Sequence, residues 1–336
     1  MMKIKTEKFR YMYILMIAFA LLSLLFAFSM GAVRISLREI FDIIVFQKIT
    51  ENSGILLDIR LPRVILAAVL GFGLACVGGV LQGIFRNPLV DSYTLGMSSG
   101  AALGAVISII SGLNFSIFGF SSTGLFAFIG ALLTLGLVFA LSNTGGRMSM
   151  DSLLLAGVAI SYFLASMISF LMLLNKDKIE HVIFWTMGSL SLASWDKTVY
   201  SLFIIIPSVL VLLYFSRELN IMAMGDESAG HMGLNVKRVK NLLLIFSALI
   251  VATVVSAGGT IAFVGLVAPH IIRILGCNDN KHVIPLSGIL GAALLVTSDL
   301  LGRTLIQPME IPVGIMTSIL GGPFFIYLLR KRRKTI

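Results

Sequence analysis

Residue types that could do covalent or metal chemistry are few in this chain and stand far apart. The histidines include no H-x-x-x-H pair, the spacing that places two imidazoles on one helix face around a metal ion. No G-x-x-x-x-G-K-[ST] sequence occurs, so the chain lacks this loop for the phosphates of ATP. Gly71-Phe72-Gly73 is without the third glycine of a dinucleotide fingerprint. No serine, histidine and aspartate set is recognisable, and we expect neither catalysis, nor a metal, nor a cofactor.

One carboxylate, Asp299, falls near the end of an apolar run. An ionisable group in such a run is a candidate proton relay, or a residue of a membrane-embedded protease. Arg303 follows four residues later, one helical turn away, which is the spacing of an intrahelical ion pair. We therefore predict a polar contact between Asp299 and Arg303 at a helix end.

Composition indicates which elements must position these residues. The 336 residues are 57% hydrophobic and only 12% charged, whereas soluble domains average about 25% charged residues. The sequence predicts an all-α polytopic membrane protein. Much of the net charge of +10 lies in two basic tails beside apolar runs, which favours an anionic membrane surface over nucleic acid as the partner. Cys76 lies in an apolar run and Cys277 in a short loop, so we expect no disulfide.

Apolar runs predict about ten transmembrane helices, since one crossing needs about 20 residues. Two further segments predict short helices at the membrane surface, an amphipathic one over 37–46 and one around 183–187. Seventeen of the 26 lysines and arginines fall on the side of the two tails, which predicts that both termini are cytoplasmic. The apolar run over 11–33 is longer than the core of a signal peptide, and we predict that it is the first span. The predicted spans are 11–32, 64–84, 93–112, 122–142, 150–174, 198–216, 241–258, 261–276, 284–301 and 312–329.

The segment 217–241 is too charged to cross a membrane. Its order predicts a short acidic helix of small residues, a glycine turn, and then a basic helix start on the cytoplasmic side. A solvated connector is the plainer interpretation. However, Gly225, Ala229 and Gly233 lie four residues apart and share one helix face. We expect that this bare face, beside Asp226 and Glu227, lets another protein dock closely.

Small residues also mark places where helices touch. Gly96, Gly100 and Gly104 form two consecutive G-x-x-x-G steps, which predict close packing within the subunit. The stretch 256–260 is too rich in glycine to remain a regular helix, and irregular backbone at membrane depth must be buried or must face a water-filled cavity. Small groups that could line a path through the membrane are Ser98, Ser99, Gly100, Ser256, Gly258 and Gly259.

Several motifs in order resemble one known family, the FecCD-type permeases of bacterial ATP-binding cassette importers for iron–siderophores, haem and cobalamin. The likeness covers nearly the whole chain, from residue 58 to residue 329. Any one of the motifs is a weak signal, but all of them in this order are a strong one. They are Arg60-Leu61-Pro62-Arg63, Gln82, Arg86-Asn87-Pro88-Leu89, Leu95-Gly96, Ser99-Gly100-Ala101, Trp185-Thr186-Met187-Gly188-Ser189-Leu190, Leu219-Asn220, Met224-Gly225-Asp226, Ala229, the stretch 259–273, Glu310-Ile311-Pro312-Val313-Gly314 and Gly321-Gly322-Pro323.

The resemblance implies a type II importer permease fold, one domain over 1–336 with a coupling loop at 217–240. It implies that two such subunits, identical or paralogous, form a pore in the bacterial cell membrane. Two cytoplasmic ATPase subunits and an extracytoplasmic substrate-binding protein would be the other partners. By resemblance, the loop's Gly225 to Gly233 stretch is the coupling helix, and Arg60, Arg63 and Arg303 receive acidic groups of the binding protein.

Two departures from the family pattern and two alternatives remain. Ser92 stands where the family often has proline, and Asp226 stands where glutamate is common. The favoured cargo is an iron–siderophore complex, with haem or cobalamin as alternatives under the same mechanism. An ion-coupled secondary transporter is a further alternative, although such proteins usually carry intramembrane carboxylates, and here the acidic residues cluster at predicted span ends and loops.

Overall fold

The computed structural model describes residues 2–117, 120–144, 147–148 and 150–333, and this part of the chain is almost entirely helical. Two short antiparallel hairpins, β1 with β2 and β3 with β4, join helices. The helices are α1 Met2–Ser29, α2 Leu37–Phe46, α3 Leu61–Phe85, α4 Met97–Ile110, α5 Ser122–Ser142, α6 Met150–Leu174, α7 Ile179–Thr186, α8 Trp195–Tyr214, α9 Ser216–Met222, α10 Asp226–His231, α11 Val236–Gly258, α12 Val264–Ile274, α13 Asn280–Gly302 and α14 Val313–Arg333. The strands are β1 Ser116–Ile117, β2 Phe120–Ser121, β3 Asn143–Thr144 and β4 Arg147–Met148.

Seven helices of the described chain are long and apolar enough to cross a membrane. They correspond to seven of the predicted spans, and the amphipathic helix predicted over 37–46 is α2. The other three predicted spans are shorter apolar helices, over Met97–Ile110, Val264–Ile274 and Val313–Ile326. With 11 residues, α12 rises only about 16 Å, roughly half of a hydrocarbon core. The prediction of a helix over 261–276 is therefore wrong at both ends, and the number of crossings stays a prediction.

A break separates α11 from α12 at the glycine-rich stretch. Ser256, Ala257 and Gly258 continue α11, so the predicted irregularity begins only at Gly259. Gly259 has φ of +71°, a left-handed conformation that glycine adopts without steric cost, and its backbone packs on Trp185 O. Residues 259–263 are not helical, and α12 starts after Phe263. Gly259 and Ile261 are buried, whereas Thr260 and Ala262 are partly exposed. Both situations are compatible with irregular backbone at membrane depth, which must be buried or must face a water-filled cavity.

Helix α3 is the centre of the bundle, because it is buried on nearly all sides. Its backbone lies directly against two other helices at glycines. A Cβ atom at Gly71 would stand 2.4 Å from Gly291 O of α13, and one at Gly78 would stand 1.7 Å from Gly265 O of α12. No side chain larger than hydrogen fits at these contacts. The cluster of buried apolar side chains around α3 draws on most of the other helices.

The helices define two ends of the bundle. We call the end where α3 begins and α13 finishes the Arg63 end, since Arg63 of α3 meets Asp299 of α13 there. We call the opposite end the Asp226 end, since Arg86 follows α3 and meets Asp226 of α10. Helix α1 starts at the Asp226 end, where Phe9 stacks on the ring of His282 at 4.4 Å. Helix α14 also runs toward the Asp226 end.

The glycine contacts yield a stability prediction. Gly78→Ala puts a methyl group into the backbone of α12, so we expect a less stable protein by roughly 1–3 kcal/mol, as for an overpacked core. Gly136→Ala is the matched control, since Gly136 is also in a helix and a Cβ there meets nothing within 4 Å. The control should gain up to about 1 kcal/mol from helix propensity. Thermal unfolding in detergent measures both, and equal midpoints for the two variants would contradict the packing argument.

Candidate functional site

A network of ion pairs lies at the Arg63 end. The Arg63 guanidinium donates from Nε to both oxygens of Asp299, at 3.0 and 3.1 Å, and from Nη2 to Oδ1 at 2.9 Å. Its Nη1 donates to Glu310 at 2.9 and 3.1 Å. Arg303 Nε lies 3.7 Å from Asp299, which confirms the predicted contact. The principal partner of Asp299 is nevertheless Arg63, from 236 residues earlier in the chain.

The other two arginines of the predicted docking set bind the end of α1. Arg60 donates to Phe28 O and Val33 O, each at 2.7 Å, and Arg303 donates to Ala27 O. The last carbonyls of a helix have no partner within the helix, so these guanidinium groups satisfy them. Arg60, Arg63 and Arg303 are all at most 8% exposed. A carboxylate from another protein reaches them only if they leave these internal acceptors, and their docking role stays a prediction.

The segment at the Asp226 end has the predicted order. Helix α10 is a short acidic helix, a turn follows at Gly233, and α11 starts at Val236 with Asn235 as its N-cap. The Asn235 side chain accepts a hydrogen bond from Arg238 N at 3.0 Å. Basic side chains on the first turn of α11, Lys237 and Arg238, are exposed.

Asp226, the first residue of α10, is held by two cations. Its Oδ1 accepts from Arg86 Nη2 at 2.7 Å and its Oδ2 accepts from Lys240 Nζ at 2.5 Å. Arg86 caps the C-terminus of α3 in a left-handed conformation with φ of +49°, and Lys240 is in the first turns of α11. We call this set, Asp226 with Arg86 and Lys240, the Asp226 clamp. It fixes α10 to the ends of two long helices.

The prediction that Ala229 lies on an exposed docking face of α10 is wrong. Ala229 is fully buried and belongs to the main apolar core, so the face through position 229 points into the protein. The other five residues of α10, from Asp226 to Ser228 with Gly230 and His231, are exposed, and so are Met224 and Met232 on either side. Helical spacing shows which residues share a face but not which way the face points. A larger or charged side chain at position 229 would therefore disturb the core.

A second polar network lies at the same end. Asn220 of α9 donates to Asp279 at 2.7 Å and accepts from Asn280 Nδ2 at 2.8 Å. Arg273 of α12 donates to Asn280 Oδ1 at 3.0 Å and to Gly79 O at 3.3 Å. These bonds tie α9 to the start of α13, and they tie the end of α12 to α13 and to the C-terminal third of α3.

Asp279 is the N-cap of α13, and its environment favours the carboxylate form. Burial alone would raise its pKa, but hydrogen bonds from Asn220 and from Lys281 N, with the charges of His282 and Lys281, outweigh burial and lower the pKa. The residue is thus ionised at neutral pH, as a helix N-terminus prefers.

The six residues predicted to line a path mostly pack against protein. Gly100 lies against Gly130 and Thr134 of α5, while Ser98 and Ser256 are at most 5% exposed. Gly258 and Gly259 are buried, and only Ser99 is partly exposed. The packing of Gly100 confirms the predicted helix contact. Its role in a path, like that of the other five, stays a prediction.

A different set of residues surrounds an open cavity of about 410 Å³ beside the break between α11 and α12. Four residues with hydroxyl groups line it, two from helices α7 and α14 and two from the connections before α4 and α12. No charged residue is among the lining residues. The sequence offered a partial signal, since Thr260 ends the glycine-rich stretch and Thr186 lies in a quoted motif. The lining residues are Tyr93, Thr186, Met187, Thr260, Ala262, Gly314, Ile315, Ser318 and Ile319.

These features define a class, the multi-pass helical membrane proteins. The chain belongs to the FecCD transport family, whose model matches residues 16–331. It is therefore a permease subunit of an ATP-binding cassette importer and not itself the ATPase. Family membership implies ATPase and substrate-binding partners, and it decides against an ion-coupled secondary transporter.

Individual relatives agree with the family. The chain is 37% identical to an uncharacterised ABC transporter permease protein of Bacillus subtilis, YvrB, over 96% of this chain and 94% of the relative. It is 39% identical to the hemin transport system permease protein HmuU of Yersinia pestis, over 91% of each chain. Permease proteins of Fe(3+)-citrate and iron(3+)-hydroxamate import systems of Bacillus subtilis are also similar.

A solved structure confirms the fold. It is described as an inward-facing conformation of a metal-chelate type ABC transporter and is 28% identical to this chain, with a TM-score of 0.82. The alignment covers 96% of this chain and 99% of the other.

The ion network at the Arg63 end yields a prediction. Arg63→Leu leaves Asp299, whose side chain is 3% exposed, as a buried carboxylate facing only Arg303, so we expect a loss of roughly 3–5 kcal/mol in stability. The double variant Arg63→Leu with Asp299→Leu removes both charges and should recover much of that loss. Arg38→Gln, at an exposed position, is the control. A double variant no more stable than Arg63→Leu alone would show that the pair is not the source of the effect.

Proposed function

We propose that this permease subunit imports an iron–siderophore complex. The observation that carries the proposal is the similarity to permeases of ferric-chelate import systems, with the uncharged, hydroxyl-lined cavity as a fitting surface for a bulky chelate. Such a surface holds its cargo by shape and by weak hydrogen bonds, so a delivered chelate can leave again. Haem is the second candidate, because the hemin permease of Yersinia pestis is similar at 39% identity.

The proposed assembly has two permease subunits, identical or paralogous, with two ATPase subunits and one substrate-binding protein. We place the Asp226 end in the cytoplasm. Its support is the exposed basic start of α11 and the run of lysine and arginine residues over 330–333, at the end of α14, both at this end. The Arg63 end then faces the binding protein.

In this arrangement the exposed face of α10 contacts the ATPase subunit. Gly225, Ala229 and Gly233 keep a role in the segment's shape, Ala229 by its burial in the core and the glycines by positive φ angles of 120° and 83°. Movement of α10 reaches the rest of the protein through the Asp226 clamp, since Arg86 and Lys240 belong to the ends of α3 and α11. The cavity lies where α11 breaks, so a displacement of α11 changes its wall.

The test of the proposed function is uptake into proteoliposomes that hold the chain with its ATPase subunits and internal ATP. Radioactive iron as a ferric siderophore, carried by the cognate binding protein, is supplied outside. We expect uptake that needs ATP and binding protein and that survives a proton ionophore. Uptake of haem or cobalamin, with none of the ferric siderophore, would reassign the cargo. The chain without ATPase subunits should hydrolyse no ATP.

The Asp226 clamp yields a separate prediction. Asp226→Asn keeps the size of the side chain and removes its charge, so both ion pairs are lost. We expect the ATPase subunits to co-purify and to hydrolyse ATP, while uptake falls by about an order of magnitude because charge-assisted bonds no longer hold α10. Asp151→Asn is the control, since Asp151 is exposed at the start of α6. Full uptake with Asp226→Asn would show that the clamp does not transmit movement.

A further inference from the structure

A second cavity, of about 510 Å³, opens at the Asp226 end between α3, α12 and the α9–α10 connection. Two arginines, Arg86 and Arg273, line it, together with the amides of Gln82, Asn87 and Asn280. None of its lining residues is acidic. It is separate from the hydroxyl-lined cavity, with which it shares no lining residue.

The charge around this cavity is unbalanced. Among the described residues, Arg273 has no carboxylate within ion-pair distance, and its Nη2 is bonded only to neutral oxygens of Gly79 and Asn280. Asp226 is shared between Arg86 and Lys240, and Asp279, beside the lining residue Asn280, accepts from Asn220 and Lys281 N and makes no ion pair with Arg273. Two cations on one carboxylate and a third cation without one leave a surplus of positive charge. A charge held away from water is costly unless it is paired.

Arg273 and Gln82 of the wall each have a buried polar atom for which the described part of the chain supplies no hydrogen-bond partner. These atoms are Nε of Arg273, a donor, and Oε1 of Gln82, an acceptor. Gln82 is 3% exposed, and its amide nitrogen is already used by Leu266 O at 3.2 Å. A ligand that satisfies both needs must accept bonds from guanidinium and donate one to an amide oxygen. A phosphate beside a hydroxyl group has this pair of properties.

An apolar strip leads from the cavity along α12. Val267, Ile271 and Ile274 recur at i, i+4 and i+7, so they form one stripe of the helix. The first two line an apolar groove of about 170 Å³ between α12, α13 and α14, and Ile274 lines the cationic cavity. Ile274 is 54% exposed, so the stripe is open where it meets the cavity. The polar cavity at the end of α12 matches the headgroup of a lipid, and the apolar groove beside it matches an acyl chain.

We propose that this cavity is a binding site for one anionic glycerophospholipid with a hydroxyl in its headgroup, such as phosphatidylglycerol. The phosphate pairs with Arg273 and Arg86, the headgroup hydroxyl donates to Gln82, and an acyl chain lies along the α12 stripe. Basic pockets between membrane helices are known sites for anionic headgroups. The apolar groove distinguishes a lipid from a free phosphate compound or a partner's carboxylate, neither of which would use it. The proposal does not depend on the identity of the cargo.

The experiment counts lipids on the full-length chain by native mass spectrometry after extensive detergent washing and titration with defined lipids. We expect one tightly held phosphatidylglycerol, no equivalent site for phosphatidylcholine, and no binding of glycerol 3-phosphate at the concentrations that saturate the lipid. Equal binding of phosphatidylcholine would overturn the proposal. Glycerol 3-phosphate binding as tightly as the lipid would reassign the site to soluble phosphates, and displacement of the lipid by the ATPase subunit would reassign it to a protein contact.

Arg273→Gln should weaken phosphatidylglycerol binding about tenfold or more, since a charge-assisted contact is lost. Arg238→Gln is the matched control, because it removes an exposed arginine from the same end without touching the cavity. Arg273 also donates a hydrogen bond to Asn280, so misfolding is a second cause of weaker binding in Arg273→Gln. A second variant separates the two causes. Ile274→Glu adds a like charge at the exposed mouth and removes no hydrogen bond, and it should weaken binding as well. Unchanged binding in either folded variant would reject the site.

Discussion

The structure depends on the direct backbone contact that α3 makes with α12 and α13. At Gly71 and Gly78 no side chain separates the helices, so α3 cannot slide or tilt against its neighbours without breaking close contacts. Arg63 and Arg86 lie at opposite ends of this helix, about 35 Å apart at the helical rise. One rigid element therefore joins the ion network at the Arg63 end to the clamp at the Asp226 end. A displacement of α3 at one end therefore displaces the other end as well, because the helix moves as one body.

The two ends use charge in different ways. At the Arg63 end the side chain of Asp299 is 3% exposed. Each ion-pair partner is needed there, because a buried charge without a partner is not hydrated. At the Asp226 end the side chains of Asp226 and Arg86 are 47% and 45% exposed, so this ion pair is individually weak and can re-form, while the buried Lys240 stays beside the carboxylate. The first arrangement suits a part of the protein that keeps its shape. The second suits a part that moves between arrangements while it remains connected.

Much of the architecture follows from hydropathy and length. Apolar runs of about 20 residues give the long helices, and the amphipathic period gives α2. The short helices are harder to predict from the sequence, because the break before α12 runs from Gly259 to Phe263, and no local pattern indicates the left-handed backbone of Phe263, at φ of 66°. The residues that meet at the two ends of the bundle are even harder to predict from the sequence. Arg63 and Asp299 are 236 residues apart in sequence, and the direction in which α10 turns Ala229 depends on tertiary packing alone.

Arg86 adopts a left-handed conformation at the end of α3, where glycine is the usual residue. A side chain there costs about 1–2 kcal/mol of backbone free energy. Glycine would relieve the backbone but would leave Asp226 with one cation instead of two. Backbone strain and the ion pair with Asp226 therefore favour different residues at position 86. A sequence redesign that scores backbone strain alone would place glycine there and would remove one of the two cations that hold α10 in position.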